Sequence, residues 1–300
     1  MKVLVIYGGE GLTTEHEVSK KSGSAVALAC VEAGFHTEEF IVDKDNIETI
    51  KDKVPDFDVV FPVLHGKLGE DGEIQKILDE TGISYVGSGV LASQLCWDKG
   101  VYKYRLEENK ILTPKWRIIK SMDEIGENDI PCVVKPVADG SSIGIELVSD
   151  RSPATLKAVS QLFETYERLM LEEYIEGREI TVGVLGDKSL PVVEIIPPEG
   201  KWFDYENKYS GVTQELCPPQ STPIGLQDRA QNIALEIHSL MGCRHISRTD
   251  MIVREDKVYV LETNTMPGMT ENSLYPKAAA AIGLDMPALV RKLVKLAYES

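Results

Sequence analysis

Residues 246–274, ISRTDMIVREDKVYVLETNTMPGMTENSL, read as two adjacent strands on either side of a charged turn. Successive side chains of a strand point to opposite faces, so residues two apart share a face. Arg248 and Asp250 share one face of the first strand, and Glu262 and Asn264 share one face of the second. If Glu255, Asp256 and Lys257 all form the turn, Asp250 faces Glu262 and Arg248 faces Asn264. With only two turn residues the register slips, and the polar groups part to opposite faces. We expect the three-residue turn. Facing carboxylates repel unless a cation lies between them. Carboxylate and amide oxygens suit a hard ion such as Mg²⁺, which also binds substrate phosphates. The plainer alternative is a solvated hairpin face with ordinary charges.

At 300 residues the chain is long for one core and predicts two or three subdomains. Its 43% hydrophobic and 27% charged content is that of a globular enzyme. The net charge of −16 argues against a nucleic-acid partner, since no basic surplus exists to neutralise a phosphate backbone. A small anion would need a local basic pocket. MKVLVIYGGE is too short for a signal-peptide core and reads as a buried first strand. No run approaches membrane-spanning length. Cys30, Cys96, Cys132, Cys217 and Cys243 are scattered without CxxC spacing, which reads as reduced thiols in a cytoplasm.

The first third alternates strand and helix. KVLVIY, FDVVFPVL (57–64) and ISYVG (83–87) read as strands, with a helix from Glu15 to Ala33 closed by Gly34. That rhythm predicts a small parallel sheet. A helix over Ala92 to Glu108 opens the middle region. PCVVKP (131–136) and GIELVS (144–149) are strands around VADGSSI, Ser152-Pro153 starts a helix, and LMLEEYI (169–175) returns as a strand. From Glu179 the pattern is mostly antiparallel. Residues 197–223 carry several prolines, among them 197, 198, 218 and 219, and the aromatics Trp202, Phe203, Tyr205 and Tyr209, a composition that favours a functional lid. Helices follow over 226–241 and from Asp285 to Tyr298.

DGSSIG (139–144) is a glycine-serine loop whose N–H groups and hydroxyls can wrap a phosphate, with Lys135 supplying a charge just before it. A plain hairpin tip explains the same letters. They also satisfy G-x-S-x-G, with Ser142 as a hydrolase nucleophile, but that elbow needs a helix next and IELVSD reads as strand. No P-loop signature occurs, and GGEG (8–11) is only a fragment of a dinucleotide fingerprint. Glu15 opens the first helix, where a capping acid is a sufficient explanation. His65 follows a buried strand, at the end where open α/β sheets bind ligands, although a lone His is more often structural. Lys99 reads equally as a helix-surface lysine, and Glu172 and Glu179 as solvated turn charges.

Taken together, GGEGLTTEHEVS, HGKLGEDG, the Asp98-Lys99 pair, VVKPVADGSSIG, EEYIEGRE, DYENKYSG, SRTD, LETNTMPGMTENSL and PKAAAAIG resemble the D-alanine–D-alanine ligase family, in the family's order and over essentially the whole chain. The resemblance implies an α/β chain of the ATP-grasp fold. Its expected units are an N-terminal parallel-sheet βαβ domain (1–95), a central small α+β domain (96–178) and a C-terminal mostly antiparallel α+β domain (179–300) with the lid at 197–223. It implies ATP- and Mg²⁺-dependent joining of two D-alanine molecules through an acyl phosphate, for the cell-wall precursor.

By that resemblance Asp250, Glu262 and Asn264 hold two Mg²⁺ ions, with Mn²⁺ as a substitute. Lys99 and Lys135 bind phosphates, Ser142 lies in the phosphate loop, and Lys208 reaches phosphate from the lid. Glu172, the backbone of Tyr174 and Ile175, and Glu179 contact adenine and ribose. Arg248 and the Gly268 N–H hold the tetrahedral oxyanion. Ser273 and Leu274 bind the second substrate's carboxylate. Glu15 grips the first substrate's ammonium with His65 nearby, and Ser141 and Tyr209 link to Glu15. A cytoplasmic homodimer without nucleic-acid or membrane partners is implied. Joining D-alanine to D-lactate or D-serine is the close variant. The chain departs from the usual pattern in two extra residues before Glu15, in Trp97, in Asn207 and in Thr249.

Overall fold

The computed structural model describes residues 1–9, 12, 15–140, 143–198 and 213–300. The apolar run KVLVIYG forms β1 (Lys2–Gly8), a central strand of a four-stranded parallel sheet. Helix α1 (His16–Glu32) leads to β2 (His36–Val42), which pairs with β1 along its whole length. The short α2 (Ile50–Lys53) precedes β3 (Val59–Val63), on β1's other side, and α3 (Glu73–Thr81) leads to β4 (Ser84–Tyr85). The sheet order is β2-β1-β3-β4, parallel as expected, with β2 added to the strands read from the sequence. Alternate side chains fill two cores. Leu4, Ile6 and Val60 face Ile50, Ile74 and Leu78, whereas Val3, Val5 and Phe61 face Val26 and Cys30 of α1.

The helix expected over Ala92–Glu108 is two helices, α4 (Val90–Trp97) and α5 (Lys99–Glu108). Asp98 separates them. Its extended backbone breaks the first helix, and its carboxylate accepts the Gly100 and Val101 N–H groups at 2.9 and 3.0 Å, capping the second. A four-stranded antiparallel sheet follows, built from β5 (Trp116–Ile119), β6 (Cys132–Pro136), β7 (Glu146–Val148) and β8 (Leu169–Glu173) in the order β5-β8-β6-β7. Helix α6 (Pro153–Thr165) starts at Ser152-Pro153 as expected and sets Val159 against Ile119, Val134 and Leu171.

The third sheet comprises β9 (Arg178–Leu185), β10 (Lys188–Ser189), β11 (Val193–Ile196), β12 (Gln214–Leu216), β13 (Ile246–Arg254) and β14 (Lys257–Asn264). Its order is β12-β11-β9-β13-β14, with β10 beside β9. Helix α7 (Ile224–Leu240) covers one face through Ala230, Ala234 and Ile237. After α8 (Leu274–Ala280), α9 (Met286–Glu299) buries Leu289, Leu293 and Ala297 in the same core as Val3, Val5 and α1. The chain's two ends therefore share one core, and Arg291 donates to the Ala33 carbonyl across it at 3.1 Å. Among the described residues, no helix is long and apolar enough to cross a membrane.

Gly23 lets α1 lie close against β1. A Cβ there would lie 2.3 Å from the Tyr7 ring, which Glu39 holds through the phenol at 2.7 Å. Gly225, in the first turn of α7, has open space around it. Gly23→Ala is expected to destabilise by about 1–3 kcal/mol through overpacking. Gly225→Ala is expected to stabilise by about 0.5–1 kcal/mol through reduced chain entropy. Urea unfolding of the two variants checks both signs.

Candidate active site

The β13–β14 pair differs from expectation in how it turns and agrees in what it brings together. Arg254 pairs with Lys257, so the turn is the two residues Glu255 and Asp256, with Glu255 at a φ of 55°. Such a turn alone would place Asp250 opposite Leu261. A β-bulge at Leu261 shifts the register between Asp250 and Met251, so that Asp250 pairs with Glu262 and Arg248 with Asn264. Val258 and Val260 face the core beneath the sheet, and unbroken alternation would send Glu262 there too. The bulge turns Glu262 to the opposite face and leaves Thr263 on the core side, a common use of bulges beside active sites.

Asp250 is buried and held by three hydrogen bonds from two residues. Arg248 donates to both its oxygens, Nε at 2.8 Å and Nη2 at 2.7 Å, and the Thr181 hydroxyl donates at 2.5 Å from β9. This two-point grip is the strong form of the arginine-carboxylate pair. Behind it, the Tyr102, Thr263 and Thr249 hydroxyls form a chain with steps of 2.7 and 2.9 Å. Thr249, one of the departures from the usual pattern, thus ties β13 to β14 and α5. Glu262 lies 3.5 Å from the Lys99 ammonium, which also donates to the Asp139 carbonyl at 2.6 Å.

Two cavities meet at Glu262, which lines both. The first, about 530 Å³, also takes Glu15, His65, Arg248, Gly268, Ser273 and Leu274 in its wall. Glu15 precedes α1 yet makes no side-chain cap bond, so the capping explanation gives way to a buried carboxylate facing the cavity. Gly66 (φ +75°) makes room for it, since a Cβ there would lie 2.3 Å from a Glu15 oxygen. Burial, with Arg248 nearby, holds His65 at about 4, so it is neutral. Glu70 is buried on the same wall and accepts the Gly66 N–H at 2.7 Å. Burial first, and the Glu15 charge second, push its carboxyl well above the usual range. Ser273 Oγ lies 3.1 Å from the Thr270 N–H and 2.8 Å from its hydroxyl, which fixes the rim at the start of α8.

The second cavity, about 410 Å³, is lined by Lys135, Glu172, Tyr174, Ile175, Glu179 and Asp250, among others. Glu172 is the charged centre of its inner wall. One oxygen pairs with Lys103 and the other with Lys135 at 2.5 Å. Burial alone would raise the Glu172 carboxyl, but the two ammonium charges outweigh it and hold the group below its ordinary value. The turn-charge reading of Glu172 is thus replaced by a buried triad. The backbone N–H of Tyr174 is directed at the Pro131 carbonyl at 3.4 Å.

Of the expected site residues, Ser141, Ser142, Lys208 and Tyr209 lie outside the described residues, as does most of the expected lid. Residues 146–148 form a strand, so the helix that a nucleophile elbow needs after Ser142 is missing. Glu70, Lys103 and Thr181 join the site in the structure and are not among the residues expected from the sequence. Lys103 carried a usable signal, because it sits four residues after Lys99 on one helix face.

The donor set fits a hard divalent cation. Two carboxylates face each other on a cavity wall, and each is neutralised here by a protein cation, Arg248 for Asp250 and Lys99 for Glu262. The amide oxygen of Asn264 accepts the Met266 N–H at 2.8 Å and keeps a second lone pair. Few protein oxygens and an open cavity suit Mg²⁺, which retains waters and binds substrate phosphate. Among the described residues no cluster of three or more His, Cys, Asp or Glu stands ready to cage an ion alone.

The family model for the D-ala D-ala ligase C-terminus matches residues 106–295, and that for the N-terminus matches residues 36–88. The chain belongs to the D-alanine–D-alanine ligase family. It is similar to the D-alanine–D-alanine ligase of Desulforudis audaxviator, 38% identical over 308 aligned positions that cover 99% of each chain. Among solved structures it resembles the Bacillus anthracis D-alanine–D-alanine ligase complexed with ATP. The TM-score is 0.85 at 31% identity, covering 100% of this chain and 97% of the other. It also resembles the VanG D-Ala:D-Ser ligase of Enterococcus faecalis, with a TM-score of 0.81 at 31% identity over 99% of both chains. The chain is accordingly a ligase with the ATP-grasp fold, as its sequence resemblance implied.

Three buried histidines of this ligase, His65, His238 and His245, are each held near 4, mainly by burial. Their ordinary value is 6.5, so between 6.5 and 4 the unfolded chain takes up protons that the folded chain refuses. Stability therefore falls as pH drops through that window, by up to about 1.4 kcal/mol per pH unit for each histidine. Denaturant midpoints between pH 7 and 4.5 should decline, and His238→Gln should flatten the slope. An unchanged slope in that variant would contradict the assignment.

Proposed function

We propose that this ligase joins two D-alanine molecules at the cost of ATP, yielding D-alanyl-D-alanine for the peptidoglycan precursor. The observation that carries the reading is the place of Glu262 on the common wall of both cavities, opposite Asp250. A reaction that passes a phosphoryl group from a nucleotide to a small acid needs two compartments meeting at a cation site. The second cavity is read as the nucleotide's, with Glu172, the Tyr174 and Ile175 backbone and Glu179 toward adenine and ribose, and Lys135 toward phosphate. The first is read as the amino acids'.

In this proposal Glu15 takes the first substrate's ammonium, with neutral His65 beside it. That substrate's carboxylate attacks the ATP γ-phosphorus, ADP leaves and an acyl phosphate forms. The second substrate's carboxylate sits at Ser273 and Leu274. Its amine attacks the acyl carbonyl and loses a proton, and inorganic phosphate departs with the bridging oxygen. Arg248 and the Gly268 N–H hold the tetrahedral oxyanion between the two bond changes. Lys99 neutralises phosphate charge from the head of α5. Magnesium ions carried with the nucleotide, held by Asp250, Glu262 and Asn264, would supply further neutralisation of the transferring phosphoryl group. The roles of Ser141, Ser142, Lys208 and Tyr209 stay as the resemblance gives them. The proposed units are 1–95, 96–178 and 179–300, assembled as a homodimer in the cytoplasm, where ATP is available.

A second reading takes D-serine as the second substrate. Its support is the likeness to the VanG D-Ala:D-Ser ligase, at the same 31% identity as the Bacillus anthracis enzyme. A coupled ADP-release assay over D-alanine, D-serine, D-lactate and L-alanine separates the two. Release is expected only with ATP, Mg²⁺ and D-alanine together, with D-alanine alone sufficient as acceptor. Glu262→Gln should lower the rate by about a hundredfold or more. Folded protein that forms no ADP in response to D-alanine would end the proposal.

A further inference from the structure

Lys103 is fully buried on α5, outside the wall of either cavity, yet it is bound to a residue of the second. Its ammonium pairs with one oxygen of Glu172 and donates to the Thr113 hydroxyl at 2.6 Å. That hydroxyl in turn donates to the Val260 carbonyl at 2.8 Å. Lys103 is therefore tied to the β14 backbone as well as to the carboxylate. Lys135 pairs with the other Glu172 oxygen and lines the cavity itself. Two ammonium groups share one carboxylate in a buried wall, so the triad carries a surplus of one positive charge. Of these two lysines, an anion arriving in the cavity can draw only Lys135, because Lys103 has no face on it.

We propose that Lys103 is a positioning residue for nucleotide binding: as the fixed counter-ion of Glu172, it lets Lys135 leave that carboxylate and pair with a phosphate. This deepens the nucleotide reading above and rests on its assignment of Lys135 to phosphate. Without Lys103, departure of Lys135 would leave a buried carboxylate uncompensated, which is strongly unfavourable. Lys135 would then be retained by Glu172 and withheld from the ligand. Burial pulls the Lys103 ammonium down to about 8 against the upward pull of Glu172, with Lys135 adding to the downward push. Departure of Lys135 thus strengthens the pair that stays behind. Stability alone does not account for Lys103, since a buried ion pair contributes little beyond well-packed apolar groups.

The test is calorimetric titration of the full chain with inorganic tripolyphosphate, which has no adenine to contact Glu172 directly. Lys103→Met should weaken binding by about tenfold, the size of coupling expected between groups in one buried network. Glu172→Gln should bind tripolyphosphate more tightly than wild type, because its neutral amide no longer retains Lys135. The double variant should match Glu172→Gln rather than sum the two effects. It removes both buried charges together, so it and Glu172→Gln carry the test even if Lys103→Met fails to fold. In turnover, Lys103→Met should raise KM for ATP far more than KM for D-alanine, which a merely structural defect would not do. If Lys135→Ala loses affinity while Lys103→Met binds as wild type, or Glu172→Gln binds no tighter, the positioning role is overturned. If Lys135→Ala itself binds as wild type, the assignment of Lys135 to phosphate has failed and the proposal falls with it.

Discussion

The site is organised around two carboxylates, Asp250 and Glu262, set opposite each other on neighbouring strands. Like charges in facing positions repel, and the repulsion grows as water is excluded. The structure answers it with one protein cation for each. Arg248 grips Asp250 from the same strand, two residues away, and Lys99 approaches Glu262 from α5. The placement of Lys99 depends in turn on the helix break at Asp98 and on its own N–H, bonded to the Val137 carbonyl at 2.9 Å. Lys99 thereby links the chain just after β6, through Val137, to β14, through Glu262.

The same logic extends outward. The chain as a whole is strongly acidic, yet the wall of the second cavity concentrates Lys135 and Arg178, with Lys103 behind it. The same wall carries Glu172, Glu173, Glu179, Glu194, Asp250 and Glu262, so the proposed phosphate site is local to these cations, where charges act at short range and are poorly screened when buried. The first cavity has the opposite character at its inner end, where Glu15 and Glu70 stand beside a neutral His65. In the proposed function one compartment takes the nucleotide's phosphates and the other the substrate ammonium, and Glu262 belongs to both.

Much of this was legible in the sequence wherever a period spoke plainly. The parallel sheet follows from continuous apolar runs alternating with a helical pattern, the α6 start from Ser152-Pro153, and the facing of Asp250 with Glu262 is met as expected. The facing arrived by a different route, however. A three-residue turn was expected, whereas the chain uses a two-residue turn and recovers the register with a bulge at Leu261, which a period-two count cannot foresee. Strand β2 was missed because its edge position leaves His36, Glu38 and Glu39 outward, so HTEEFIV shows little apolar signal. Glu70, Lys103 and Thr181 were missed for another reason. Each matters through a partner far along the chain, and a linear reading sees a charge or hydroxyl without its counterpart. Glu15 shows the converse, since its helix-start position offered a local explanation that its buried carboxylate does not use.

The most direct test of the central claim counts divalent ions. Electron paramagnetic resonance titration with Mn²⁺, in the presence of ATP and D-alanine, should report binding that appears only with the nucleotide and is lost in Asp250→Asn and in Glu262→Gln. Both variants keep the shape of the wall while removing one of the facing charges. Ion binding that persists unchanged in both, with ATP still bound, would show that these carboxylates do not hold the cations and would remove the basis of the account.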